Sequence, residues 1–164
     1  MMEKTLILLK PDAIERGLIG KIIGRFENAG LKIIGMKMVW VDKDFAFKHY
    51  TEDIAKRRGA HVREWLSTYI VEGPVIAMAI EGLHAIEAVR KIVGPTEPKT
   101  APAGTIRGDF ALHSYSFADK KKKAIRNLIH ASGDKKDAKY ELKLWFKSKE
   151  LHSYETVAEK HLWK

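Results

Sequence analysis

His130 closes the apolar run Asn127-Leu128-Ile129; Ser132 follows almost at once, and Glu141 comes eleven residues after the histidine. Upstream, the segment GTIRGDF, Gly104 to Phe110, carries Arg107 between two glycines that permit tight turns, and Arg90 lies earlier still. A neutral imidazole is a nucleophile, and with an unperturbed pKa of about 6.5 much of it is neutral at pH 7. Glu141 can accept a hydrogen bond from the second ring nitrogen and fix the tautomer, with Ser132 steadying the carboxylate. Guanidinium groups hold phosphate oxygens through paired donors. These residue types together point to phosphoryl chemistry rather than metal binding, with Arg107 better placed to face phosphates than Arg90, which alone reads more readily as a solvated helix charge. Lys10 ends a buried run, and the Pro11-Asp12 that follows aims its ammonium into a cleft, toward an anion. Thr96 lies just past the helix that carries Arg90. Metal chemistry fits less well, because there is no cysteine and no HxxxH or HExxH spacing. The P-loop pattern GxxxxGK[ST] is also absent. The other histidines, at 49, 61, 84, 113, 152 and 161, lack the neighbours of His130 and read mostly as surface residues.

Those side chains need elements to position them. Thr5 to Leu9 reads as a buried strand stopped by proline. Leu18, Ile22, Ile23 and Phe26 recur at helical spacing, with Gly30 at the helix end. Leu31 to Val41 reads as a second strand, with Ile34, Met36, Met38 and Trp40 on one face. A polar helical stretch from about Asp44 to Ile70 is broken near Gly59. Val75 to Ile80 is apolar on both faces and so central. Leu83, Ile86, Val89 and Val93 mark an amphipathic helix closed by Gly94-Pro95. The run into His130 is the fourth strand. A helix from about Asp134 to Phe146 follows, then a tail with Trp163. The order β-α-β, helical stretch, β-α-β predicts an α+β fold: a ferredoxin-like, four-stranded antiparallel sheet (βαββαβ) with helices on one face. The other face must be covered by the remaining helices or by another subunit.

The 164 residues suit a single domain spanning 1–164, with a polar, basic insertion at about 113–126 that holds Lys120 to Lys123. With no cysteine, disulfides are excluded and a cytoplasmic setting is expected. No apolar run approaches the roughly 20 residues of a membrane-spanning helix, and no signal peptide is recognised. The net charge of +9, from 30 basic against 21 acidic residues, favours anionic partners.

KPDAIERGLIGKIIGRFENAGLKI, GPVIAMAIEG, VGPTEPKTAPAGTIRGDF and NLIHAS occur in this order. The chain from Thr5 to the LWF segment at 144–146 thereby resembles the nucleoside diphosphate kinases. The resemblance implies the ferredoxin-like fold and transfer of a γ-phosphoryl group from a nucleoside triphosphate, typically ATP, to a nucleoside diphosphate. Transfer would run in two half-reactions through phosphorylated His130. Lys10, Tyr50, Arg90, Thr96, Arg107 and Asn127 match residues that contact phosphates or sugar, and Leu66 matches a position near the base. Glu141 and Ser132 match the residues that orient the histidine. The cofactor implied is Mg²⁺, held on phosphate oxygens and water, with no protein metal ligand. The implied assembly is a homo-oligomer, a hexamer or in some members a tetramer.

This chain departs from the family pattern in three places. The family's base-stacking phenylalanine is not matched, since Val62 or His61 holds its place and Trp65 is the nearest aromatic. Ala131, Ser132, Gly133 and Asp134 replace the usual residues after the histidine. The connection LHSYSFADKKKKAIRN is longer than usual and reads as a solvated loop, with a flap over the nucleotide or a subunit contact as alternatives. Two other functions are considered. A basic nucleic-acid-binding module would need aromatic rows on the sheet, and the second strand offers Trp40 alone. An inactive, oligomeric family member would lack the histidine or the arginines, which are all present.

Overall fold

The apolar runs become strands. The computed structural model describes residues 1–162; the tail position Trp163 lies outside the described residues. β1 spans Met2–Leu9, β2 Lys32–Val39, β3 Val75–Leu83 and β4 Ile129–Ala131. They form one sheet in the order β2-β3-β1-β4, with every neighbouring pair antiparallel. β1 and β3 are the inner strands, so both their faces are covered and neither needs to alternate with polar residues.

The helices follow in chain order: α1 Pro11–Glu15, α2 Ile19–Asn28, α3 Lys43–His49, α4 Glu52–Arg58 and α5 Ala60–Ile70. After β3 come α6 Ala85–Val93, α7 Ile106–Phe110, α8 Tyr115–Lys121, α9 Lys135–Trp145 and α10 Val157–Leu162. The crossover helices α2 and α6 lay Ile22, Phe26, Val89 and Val93 on Ile7, Leu9, Met78 and Ile80. On the opposite sheet face, Leu6, Leu8, Ala77 and Ala79 meet Ala46 of α3, Ile70 of α5 and Trp145 of α9. The second face is therefore covered by the chain's own remaining helices. Among the described residues no helix is long and apolar enough to cross a membrane.

Four expectations are corrected in detail. β2 is two residues shorter at its far end, and its register shifts between Ile33 and Gly35. This bulge separates buried Ile34 from Met36 and Met38, which pair with Met78 and Ile76 and are exposed. The stretch 44–70 holds three helices, because the chain breaks at Tyr50-Thr51 as well as at Gly59. Gly59 has φ of 96°, and a Cβ there would meet the His61 ring at 2.7 Å. GTIRGDF is a short helix rather than a plain turn: the Thr105 side chain accepts from Gly108 N and caps α7. Gly108 is needed for space, since a Cβ would lie 2.1 Å from Pro102 O. Finally, the segment expected as a solvated loop contains α8, and Ala118, Ala124 and Ile125 in it are buried.

Candidate active site

The Lys10-Pro11-Asp12 corner sets the floor of the site. Proline opens α1, where its missing N–H leaves no bond unmade. Lys10 N donates to Leu128 O at 2.8 Å, and Asp12 Oδ2 accepts from Leu128 N at 3.2 Å. Held from both sides, Leu128 adopts φ of 68°, unusual for a branched residue and a strain of about 1–3 kcal/mol. This turn delivers Asn127 and, one strand step later, His130, which pairs with Leu8 of β1.

A polar chain crosses that floor. Lys10 Nζ donates to Asn127 Oδ1 at 2.8 Å, and Asn127 Nδ2 donates to Thr96 O at 2.8 Å. Arg107 donates to Gly94 O at 2.9 Å, Asn127 O at 3.2 Å and Ile129 O at 2.6 Å. A guanidinium has five N–H donors, so further donors remain for a ligand. Burial, followed by the like charge of Arg90, draws Arg107 down to about 10, which still leaves it charged at neutral pH. Burial, and next Arg107, draws Lys10 down to about 7.

His130 is held from behind. Asp134 caps α9 by accepting from Asp137 N, and this helix places Glu141 under the imidazole. His130 Nε2 lies 2.9 and 3.0 Å from the two Glu141 oxygens. Ser132 Oγ donates to Glu141 Oε2 at 2.5 Å and accepts from Leu6 N at 3.3 Å. Burial opposes the carboxylate's charge, but His130, then His49 and then the Ser132 hydroxyl outweigh it and hold Glu141 at about 2. An ionised carboxylate only accepts, so in the neutral ring Nε2 carries the proton and Nδ1 keeps its lone pair, as a nucleophile would require.

A cleft of about 220 Å³ is lined by His130, Lys10, Tyr50, Leu66, Arg90, Thr96, Arg107, Asn127 and Glu141. The predicted set is thus brought together, with Ser132 buried behind Glu141. His49 was missed and corrects the surface reading of the other histidines. It is buried, and its ring stands edge-on to His130 with centroids 4.6 Å apart. Trp145 Nε1 donates to His49 Nδ1 at 3.2 Å. Burial, then the charge of His130, lowers His49 to about 3, so it is neutral beside the nucleophile. Its only signal in the sequence was adjacency to Tyr50.

His49, His130 and Glu141 bring possible ligand atoms within 4.8 Å, the one such group among the described residues. Two imidazoles suit softer metals than Mg²⁺, which prefers oxygen. Glu141 is also already committed to His130 and Ser132. This group therefore does not offer the oxygen-rich ligand set that Mg²⁺ prefers.

Lys10 yields a pH prediction. Its pKa of about 7 in the free site should rise when an anionic phosphate arrives. Nucleotide binding should then take up a fraction of a proton above pH 7, and this uptake should vanish at lower pH, where Lys10 is already charged. Calorimetry of ADP binding in buffers of different ionisation heat reads the uptake. Lys10→Met should remove it, and an unchanged uptake would refute the assignment.

The chain matches the family model described as "Nucleoside diphosphate kinase" over residues 3–151. It is 49% identical over 153 residues to the nucleoside diphosphate kinase of Pyrococcus furiosus, covering 93% of this chain and 88% of that protein. It is 45% identical over 155 residues to that of Borreliella burgdorferi, covering 94% and 93%. Among solved structures, a transition state mimic of the Borrelia burgdorferi enzyme with bound vanadate and ADP superposes with a TM-score of 0.96 at 44% identity, covering 98% of this chain and 96% of that one. The Halobacterium salinarum enzyme in complex with CDP gives 0.86 at 34% identity over the full length of both chains.

Proposed function

This chain belongs to the nucleoside diphosphate kinase family, and from that premise we propose how its cleft moves a γ-phosphoryl group from a nucleoside triphosphate to a nucleoside diphosphate. The observation that carries the reading is the His130–Glu141–Ser132 chain facing a cleft lined by Lys10, Arg90 and Arg107. His130 Nδ1 attacks the γ-phosphorus; the bond to the bridging oxygen breaks and the diphosphate leaves with that electron pair. A second diphosphate then attacks phospho-His130 through a terminal β-oxygen, and the imidazole leaves with its lone pair restored. Glu141 stabilises the proton on Nε2 while charge develops on the ring. Lys10, Arg90 and Arg107 offset the charge spread over the transferring oxygens. Tyr50, Thr96 and Asn127 hold phosphates and sugar, and Leu66 lies toward the base. Mg²⁺, arriving on the phosphates, would supply further charge neutralisation. The cytoplasm is the proposed setting.

A homo-oligomer, hexamer before tetramer, is part of the same proposal. Its support is the free edge of β2, where Met36, Met38 and neighbouring Trp40 are more than half exposed. Initial rates with ATP varied against several fixed GDP concentrations should give parallel double-reciprocal lines, as a ping-pong exchange requires. Intersecting lines would mean direct transfer between two bound nucleotides.

A further inference from the structure

The inserted segment meets the nucleotide cleft. Ser114 precedes α8 and caps it with its side chain, and Tyr115 N is moored to Glu97 Oε1 at 2.9 Å. Between α8 and the α4–α5 pair lies a second hollow of about 190 Å³. It shares Ile54, Leu66, Thr96 and Ile125 with the phosphate cleft, so the two adjoin. Each alone falls below the roughly 300 Å³ at which small-molecule pockets begin, whereas together they exceed it.

The walls of this hollow differ in kind. α5 contributes Val62 and Leu66, both aliphatic, and Trp65, whose ring is already packed edge-on by His61 at 4.9 Å. α8 contributes Tyr115. Its ring lies 4.7 Å from the Arg58 guanidinium carbon, and Arg58 Nη1 is 3.3 Å from its hydroxyl. Both residues line the hollow, so the pair joins α4 to α8 across it. A planar heteroaromatic ring gains most from a flat π-face on one side and a polarising guanidinium near it.

We infer that Tyr115 of the inserted helix, clasped by Arg58, is the aromatic wall against which the nucleobase stacks, in place of a ring on α5. This rests on the phosphoryl-transfer reading above and extends it to the base. The phosphate end of the cleft is built from other residues, so the clasp should act on substrates only through their base. The experiment compares ATP with ribose 5-triphosphate, which lacks the base, as phosphoryl donor to the full-length protein.

Tyr115→Ala and Arg58→Ala are each expected to raise KM for ATP roughly tenfold, the scale of one lost base–aromatic contact, with kcat little changed. KM for ribose 5-triphosphate should move less than about twofold. Tyr115→Phe keeps the ring and should restore most of the ATP affinity, which a hydrogen bond needed only to pin α8 would not explain. Thermal midpoints near that of the unsubstituted protein show that the variants fold, and Tyr115→Leu serves as the second variant if alanine unfolds the segment. Equal losses with both donors, or no loss with either, overturn the inference. Failure of the unsubstituted protein to transfer from ATP overturns the underlying reading and the inference with it.

Discussion

His130→Ala is expected to lower phosphoryl transfer by about 10⁴-fold or more, the scale on which enzymes lose a nucleophile. The rest of the site would still bind nucleotide, because Lys10, Asn127 and Arg107 are tied to one another and to the backbone rather than to the imidazole. The fold should survive at a cost of about 1–3 kcal/mol. Glu141 loses its ring partner, but the Ser132 hydroxyl still donates to it and the carboxyl can take up a proton. The homo-oligomer proposed above should be unchanged in size. A coupled assay alongside thermal unfolding checks both halves. Transfer within tenfold of the unsubstituted rate would mean that another group carries the phosphoryl.

Arg107→Ala should lose on two counts. Its guanidinium binds three backbone carbonyls, of Gly94, Asn127 and Ile129, at a buried position. Truncation removes the side-chain donor from all three, with Asn127 O alone keeping a backbone donor, Ile129 N, and should reduce unfolding free energy by about 3 kcal/mol. It also removes a cation from the cleft, and transfer should fall by about 10²–10³-fold. Arg107→Lys separates the effects. It restores a charge but cannot span three carbonyls, so transfer should recover in part while stability stays low. Full stability of Arg107→Ala in denaturant titration would show that the carbonyl bonds contribute little. Full activity would remove Arg107 from the phosphate site.

The sheet was legible because its inner strands are unbroken apolar runs and the helices α2 and α6 repeat at helical period. The reactive set was legible because His130, Arg107 and Lys10 sit at motif boundaries where the chain must turn. What stayed hidden depends on tertiary contacts. His49 is buried where α9 brings Trp145 against it beside His130, and apart from the adjacent Tyr50 nothing near it in sequence signals that. The bulge at Ile34 is set by pairing with β3. The left-handed Leu128 depends on Asp12, distant in sequence. α8 escaped notice because a lysine-rich segment shows little apolar periodicity. Its position is fixed by Tyr115, whose ring and hydroxyl meet Arg58 of α4 and whose N–H is held by Glu97.

The central claim is that His130 carries the phosphoryl group between the two half-reactions. The most direct test is the mass of the intact protein after ATP and Mg²⁺, followed by fragmentation under conditions that preserve acid-labile phosphate. One phosphoryl group should be added per chain, located on His130 and removed on adding a nucleoside diphosphate. An unmodified chain that still exchanges phosphate, or a phosphoryl group on any other residue, would contradict it.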